Sequence, residues 1–271
     1  MLSVVMAARF PNFARTASDY ARHRAGFPAE LLDRLAARGI ARTGARVVDL
    51  GTGTGSLARL FARRGCVVTG VDIARPLLEE ARRLDTEAGV EIEYVEAPAE
   101  ATGLPDGAFD VVSAGQCWHW FDRSAAAREA KRLLTINGAV VIAHFDWLAL
   151  PGNVVEATQE IILCYTPPGD PSHGPWRFAK GTGVYPQWLT DLQEAGFVGI
   201  ETFSFDVQVP YSHEAWVGRI RASGPIAGKL EEDGVLACSR ELAAMLAERF
   251  AEDPLTIPHR VWAVTARVPA S

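Results

Sequence analysis

The run Arg46-Val47-Val48-Asp49-Leu50 leads directly into Gly51-Thr52-Gly53-Thr54-Gly55, and Leu57–Arg64 then takes up helical spacing before stopping at Gly65. A short β-branched strand that turns through glycines into a helix opens a βαβ unit, and the downstream chain repeats the rhythm. Cys66–Val71 reads as a second strand, Arg75–Ala88 as an amphipathic helix and Glu91–Val95 as a third strand. Phe109–Ala114 reads as a fourth strand, Asp122–Leu134 as a helix capped by Asp122, and Ala139–Phe145 as a fifth strand. Strands alternating with helices predict an α/β, doubly wound sheet that is largely parallel.

Upstream, Ala14–Arg24 looks helical, and Pro28 opens a second helix over Ala29–Arg38 that ends at Gly39. Proline near the start and glycine past the end is the ordinary asymmetry of helix termini. After Phe145 the rhythm breaks. Residues 146–182 are rich in proline and glycine around one helical patch, Val154–Leu163. An irregular segment that long is more often functional than idle. Order resumes with a helix over Pro186–Ala195, a strand over Val198–Val207, helices over Ser212–Ser223 and Cys238–Ala251, and a last strand over Ile257–Val268. The reading is a single domain over 1–271, with 1–40 as a helical lid and with 146–182 and 208–256 as excursions on the substrate side.

Composition excludes several classes. The 271 residues are 48% hydrophobic, enough for a substantial core, and the formal net charge is −6. A duplex-binding face would need a basic excess, so no nucleic-acid partner is expected. Cys66, Cys117, Cys164 and Cys238 form no CxxC pair, which leaves neither a zinc knuckle nor a dithiol motif. His144 and Asp146 lie two apart without a carboxylate cluster, so no metal is expected. Met1–Ala8 lacks a basic n-region, and no stretch approaches a bilayer span of about 20 apolar residues, so a cytoplasmic protein without a membrane partner is expected. Oligomeric state is not legible.

The glycine turn is where ligand chemistry concentrates, because ligands of open α/β sheets bind beyond the carboxyl ends of the strands. Asp72 ends the second strand 21 residues after Gly51. A carboxylate there can accept both hydroxyls of an adenosine ribose, as it does in dinucleotide enzymes. The loop separates the two possibilities. A pyrophosphate reader has a third glycine three positions after the second, where this chain has Ser56. Asp49 at the loop entrance would repel pyrophosphate but suits a ligand bearing an ammonium and a sulfonium, which favours S-adenosylmethionine (SAM) as cofactor.

The string Val47–Gly55, with Val71-Asp72, Ala99-Glu100, Phe109-Asp110-Val111-Val112 and Gln116-Cys117-Trp118-His119-Trp120-Phe121, resembles the class I SAM-dependent methyltransferases. The nearest branch comprises small-molecule enzymes similar to the ubiquinone/menaquinone and trans-aconitate methyltransferases. Leu133–Gly138, Glu194-Ala195-Gly196-Phe197 and Phe13…Tyr20…Arg24…Phe27-Pro28 fit the same pattern. The likeness is good over about 10–145 and looser over 183–205 and 257–267. It implies a Rossmann-like seven-stranded sheet whose last strand is antiparallel. It also implies that the backbone at Gly51, Gly53 and Gly55 holds the methionine and sugar portions of SAM, with Asp49 near the amino end. Asp72 would take the ribose hydroxyls, Ile73 would pack on adenine, and Ala99 would bond the adenine edge with Glu100 alongside. Gln116 would face the methionine moiety, and Tyr20 and Arg24 would belong to a lid over its carboxylate. Pro98 stands where many relatives have Asp, so Glu100, Glu96 or the backbone would serve adenine instead.

The expected reaction is methyl transfer to a small-molecule acceptor, at oxygen or carbon in preference to nitrogen. Methyl transfer needs positioning, plus a base where the nucleophile must lose a proton. His119, just past the fourth strand, is the candidate base, with a packed structural turn as the alternative. Trp118, Trp147, His173, Trp176 and Tyr185 are the candidate acceptor contacts, since a pocket of aromatics with a few polar handles suits a small organic molecule. The alternatives are a SAM-fold enzyme that catalyses a cyclisation or rearrangement, and an NAD-dependent oxidoreductase. Cys117 reads as a small buried residue.

Overall fold

The computed structural model describes residues 23–167, 170, 173, 179 and 181–270. The described chain divides into two compact units. One consists of Gly26–Phe145, Val184–Phe205 and Val261 onward, and the other of residues 23–25 with the described parts of Asp146–Gly183 and with Asp206–Arg260. The two segments that read from sequence as excursions, 146–182 and 208–256, thus fall together in a unit of their own.

The first unit keeps the predicted rhythm. Helix α1 (Glu30–Ala36) precedes β1 (Arg46–Leu50), α2 (Ser56–Arg63), β2 (Val67–Asp72), α3 (Arg75–Ala88) and β3 (Glu93–Glu96). Then come β4 (Phe109–Gly115), a 3₁₀ turn at Trp118–Trp120, α4 (Arg123–Leu133) and β5 (Leu134–Trp147). Later elements are α5 (Val154–Tyr165), α6 (Gln187–Glu194), β6 (Val198–Tyr211), α7 (His213–Arg221), α8 (Gly224–Ala227), α9 (Glu232–Arg249) and β7 (Leu255–Arg267). The sheet has seven strands in the order β3-β2-β1-β4-β5-β7-β6, with the last strand antiparallel to the other six. Parallel pairing is explicit for β1 with β2 and β4, for β2 with β3, and for β4 with β5.

Burial on both faces explains the apolar runs. Val47, Val48, Leu50, Val112, Val140 and Ile142 are sealed in the sheet, with Leu57 and Phe61 of α2 and Ala126 and Ala130 of α4 covering them. Leu31 and Leu35 of α1 are fully buried too, so this helix contributes to the core of the unit. Asp122 caps α4 as expected, accepting from the Ala125 amide at 3.1 Å.

Several boundaries shift from expectation, most of all at β5 and α9. Strand β5 begins at Leu134, five residues early, because Asn137 adopts a left-handed φ of 63° and the register jumps from the Phe109–Leu134 pair to Val111–Ala139. Asn-Gly reads as a turn, and here it is an irregularity inside a strand. Helix α9 starts at Glu232, with Glu232 and Asp233 in its first turn, where acids favour the helix dipole. The short α8 has no counterpart in the sequence reading.

The second unit is helical around α5, α7, α8 and α9. Val155, Ile162, Trp216, Ile226, Leu242, Leu246 and Ile257 form its core. The Trp216 indole donates to the Thr158 hydroxyl at 3.0 Å, which satisfies the polar atom of a fully buried ring. No described helix is long and apolar enough to cross a membrane.

Candidate active site

Asp49 is the next-to-last residue of β1, paired in register with Gly70 of β2 and Ser113 of β4. Its carboxylate is buried and accepts a hydrogen bond from the Ser113 hydroxyl at 2.6 Å. Burial pushes its pKa from 3.8 up to about 6, against the pull of that hydrogen bond, and the charge of Asp72 pushes the same way. The acid inferred at the loop entrance is therefore a desolvated group whose ionised form has no paired cation among the described residues.

Beyond it, Gly51, Gly53 and Gly55 all adopt left-handed φ, at 63°, 55° and 77°. Their surroundings differ. A Cβ at Gly51 would lie 2.8 Å from the Phe121 ring and 2.9 Å from the Cys117 sulfur. One at Gly55 would meet the Tyr94 hydroxyl at 2.6 Å. At Gly53 nothing lies within 4 Å, so the middle of the turn has its open side toward space a ligand could use.

Asp72 does two things at the tip of β2. Its Oδ2 accepts from the Gly53 amide at 2.8 Å, and its Oδ1 from the Ala74 amide at 2.9 Å. The side chain read as a ribose contact is thus also the staple of the glycine turn. Burial raises its pKa, and the two backbone amides partly offset this. Ile73 beside it is half exposed, an apolar surface at the tip of β2. Ala99 is buried, while Glu100 uses one oxygen to accept from the Asp122 amide at 2.8 Å. Glu96, the other proposed substitute, is paired with Arg75 at 2.8 Å.

A polar network that sequence reasoning missed supports the turn from below. Arg59 of α2 bonds the Thr54 carbonyl and pairs with Asp85 of α3 at 2.8 Å, and Asp85 also accepts from the Tyr94 hydroxyl at 2.8 Å. Arg59 and Asp85 are both largely enclosed. Their 26-residue separation leaves no local signal. A second network, Glu129 with Arg132 and with the amide and hydroxyl of Thr102, anchors the loop after β3. Burial pushes the Glu129 pKa up, but Arg132 and Thr102 outweigh it and hold the carboxyl at about 2.

Across from the turn, the β4 loop abuts it: the Cys117 thiol donates to the Leu50 carbonyl at 3.1 Å, and Cys117 is buried as expected. Gln116 takes a left-handed φ of 60°, uncommon for a residue with a side chain. Its amide nitrogen donates to the Phe145 carbonyl and its oxygen faces His144 Nδ1 at 2.9 Å. His119, on the 3₁₀ turn, is half-buried with its ring centroid 4.6 Å from that of Trp120 and 5.8 Å from that of His144.

Two aromatics expected to face a ligand are consumed by packing. Trp118 is fully buried and its indole donates to Asp191 at 2.9 Å. Tyr185 is likewise buried, stacked on His144 at 3.9 Å and on Trp188 at 5.4 Å. In the second unit, Trp147 is half-buried, edge-on to Trp216 at 5.3 Å, with the Arg219 guanidinium 4.6 Å above its ring. His173 is buried 3.3 Å from the Thr166 hydroxyl. Arg24 belongs to that unit and is half-buried. Tyr20 and Trp176 lie outside the described residues. The structure thus gathers Asp49, Gly51, Gly53, Gly55, Asp72, Ile73, Ala99, Glu100, Gln116, Trp118, His119 and Tyr185 in one unit, and Arg24, Trp147 and His173 in the other.

Known proteins share this arrangement. The methyltransferase domain family matches residues 48–142, from β1 through β5. A demethylmenaquinone methyltransferase of Thermus thermophilus is 41% identical over 103 residues, covering 37% of this chain and 47% of that protein. The chain therefore aligns with less than half of that relative's length. A ubiquinone biosynthesis O-methyltransferase of Xanthomonas campestris is 35% identical over 194 residues, covering 71% of this chain and 76% of the relative. Among solved structures, a protein of Anaeromyxobacter dehalogenans assigned to the type II methyltransferases superposes with a TM-score of 0.63 at 19% identity, over 92% of this chain and 99% of that one. That likeness speaks to the fold alone. With the strand order, the glycine turn and these relatives together, the chain belongs to the class I SAM-dependent methyltransferases.

Proposed function

We propose that the chain binds SAM over the Gly51–Gly55 turn and transfers its methyl group to an oxygen of a small-molecule acceptor. The observation that carries this reading is a pair of acids, the buried Asp49 and the half-buried Asp72, flanking an open glycine turn. A desolvated carboxylate favours a cationic partner, and the donor's ammonium is one. Asp72 has lone pairs left after its two backbone bonds for ribose hydroxyls, and the exposed Ile73 offers an apolar face for adenine. A pyrophosphate would meet two like charges here.

When bound, SAM supplies an electrophilic methyl on a positive sulfur, which the acceptor oxygen takes in line as its own proton leaves. The chain's share is to orient and to dispose of that proton. His119 on the β4 loop is the proton acceptor in this reading. Gln116 faces the methionine portion, and Ala99 bonds adenine through its backbone with Glu100 alongside. Oxygen as acceptor atom is supported by the Xanthomonas relative's name as an O-methyltransferase.

Calorimetry with SAM, S-adenosylhomocysteine and NAD tests the cofactor. Methyl-labelled SAM with a metabolite pool tests the reaction through products heavier by one methylene. Binding of NAD alone overturns the reading. Label that stays in the donor while an acceptor is consumed favours the rearrangement alternative. His119→Ala is expected to lower kcat with SAM affinity intact, and an unchanged kcat removes the base.

A further inference from the structure

We propose that His144 is a positioning residue for the donor site, acting through Gln116; this rests on the SAM-binding reading above. His144 is fully buried on β5, and both ring nitrogens have partners in the same unit. The Trp188 indole of α6 lies 3.1 Å from Nε2, and an indole nitrogen can only donate. Nε2 is therefore the acceptor, the ring is neutral and its proton sits on Nδ1. That proton faces Gln116 at 2.9 Å, so the Gln116 atom opposite it is the amide oxygen, and the amide nitrogen is left to donate to the Phe145 carbonyl. One indole thus fixes a tautomer, and the tautomer fixes the orientation of an amide two links away.

The device matters because of where Gln116 stands. Its backbone occupies a left-handed conformation that is strained for a residue with a side chain and persists only where surroundings hold it. Its own amide N–H is bound to the Ala143 carbonyl at 2.9 Å, and Cys117, the next residue, is bonded to the end of β1. Releasing the Gln116 side chain therefore loosens the β4 loop against the glycine turn. The His144 ring is held in plane by Tyr185, stacked at 3.9 Å, and Trp188 is itself held under Arg123, 4.9 Å above its ring.

The test uses the full chain. His144→Phe keeps the stack and removes both polar links; it is expected to weaken SAM binding about tenfold by calorimetry and to lower the melting temperature, because the Trp188 indole and the Gln116 oxygen lose their partner. His144→Asn restores a donor at the Nδ1 position and is expected to recover most of that loss. Full affinity in His144→Phe, or an Asn variant no better than Phe, overturns the assignment. Long-range proton–nitrogen NMR gives a readout independent of binding and of those variants: His144 should be neutral with its proton on Nδ1, and Trp188→Phe should let the Nε2–H tautomer appear. A wild-type ring protonated on Nε2 overturns the relay. A wild-type chain that does not bind SAM sinks the proposed function, whereas wild-type binding unchanged in His144→Phe sinks only the role of His144.

Discussion

Asp49→Asn separates what the glycine turn costs the empty fold from what it gives a ligand. The wild-type carboxyl is buried and pushed from 3.8 to about 6. At about 1.36 kcal/mol per unit, keeping it ionised costs the folded state roughly 3 kcal/mol, a sizeable share of an ordinary domain's stability. The sign comes from linkage. Between these two values the folded chain holds a proton that the unfolded chain has lost, so wild-type stability is highest below about pH 4 on this account and falls as pH rises through about 6. Asparagine keeps an oxygen for the Ser113 hydroxyl and carries no charge. Urea unfolding at a series of pH values should therefore find the variant more stable than wild type by about 2–3 kcal/mol at pH 8, with the gap closing below about pH 5. SAM binding should be lost at the same time. Wild-type SAM binding near pH 6 should release protons, read from calorimetry in buffers of different ionisation enthalpy, because the ammonium pulls Asp49 back to its charged form. A variant equal to or weaker than wild type at pH 8, with the same gap at low pH, would refute the reasoning.

Other substitutions probe the remaining parts. Gly51→Ala forces a Cβ against Phe121 and Cys117 and should cost about 2–3 kcal/mol in denaturant unfolding, whereas Gly53→Ala meets no neighbour, should cost about 1 kcal/mol from backbone strain, and should lose SAM affinity instead. Arg59→Met strands Asp85 in an enclosed site and should destabilise by about 3–5 kcal/mol, with Asp85→Leu added on top restoring much of the loss. Glu129 is depressed from 4.5 to about 2, so it stabilises above the higher value and that contribution disappears as pH falls between them. Glu129→Gln should consequently flatten the acid limb of the stability profile, measured by thermal melts between about pH 5 and 2.

Much of the first unit is readable in the sequence because its signals are local. The β-branched runs, the glycines after β1 and the Asp122 cap each act within a few residues, and the elements they mark form where expected. The features that escape such reading depend on pairing across the chain. Nothing near Gln116 announces a left-handed backbone, since the strain is held by His144 and Phe145 about 29 residues away. Arg59 and Asp85 stand 26 residues apart on two helices, and only the packing of α2 and α3 brings them together beside Tyr94. Trp118 and Tyr185 look like ligand-facing aromatics in the sequence because composition tells nothing of direction, and α6 folds over both. The Asn137-Gly138 pair reads as a boundary on the strength of turn chemistry, while β5 absorbs it as a register shift.

Chain progression along the sheet reverses between β1 and β4, and that reversal divides labour. The segments that would grip the donor leave β1, β2 and β3 on one side, and the loop bearing Gln116 and His119 leaves β4 on the other. Mutational drift around His119 can thus explore new acceptors while the cradle beside it stands, provided Gln116 keeps its bonds to His144 and Phe145 and the Cys117 thiol its hold on Leu50. A lineage built this way can change its chemistry's target while inheriting its methyl source intact.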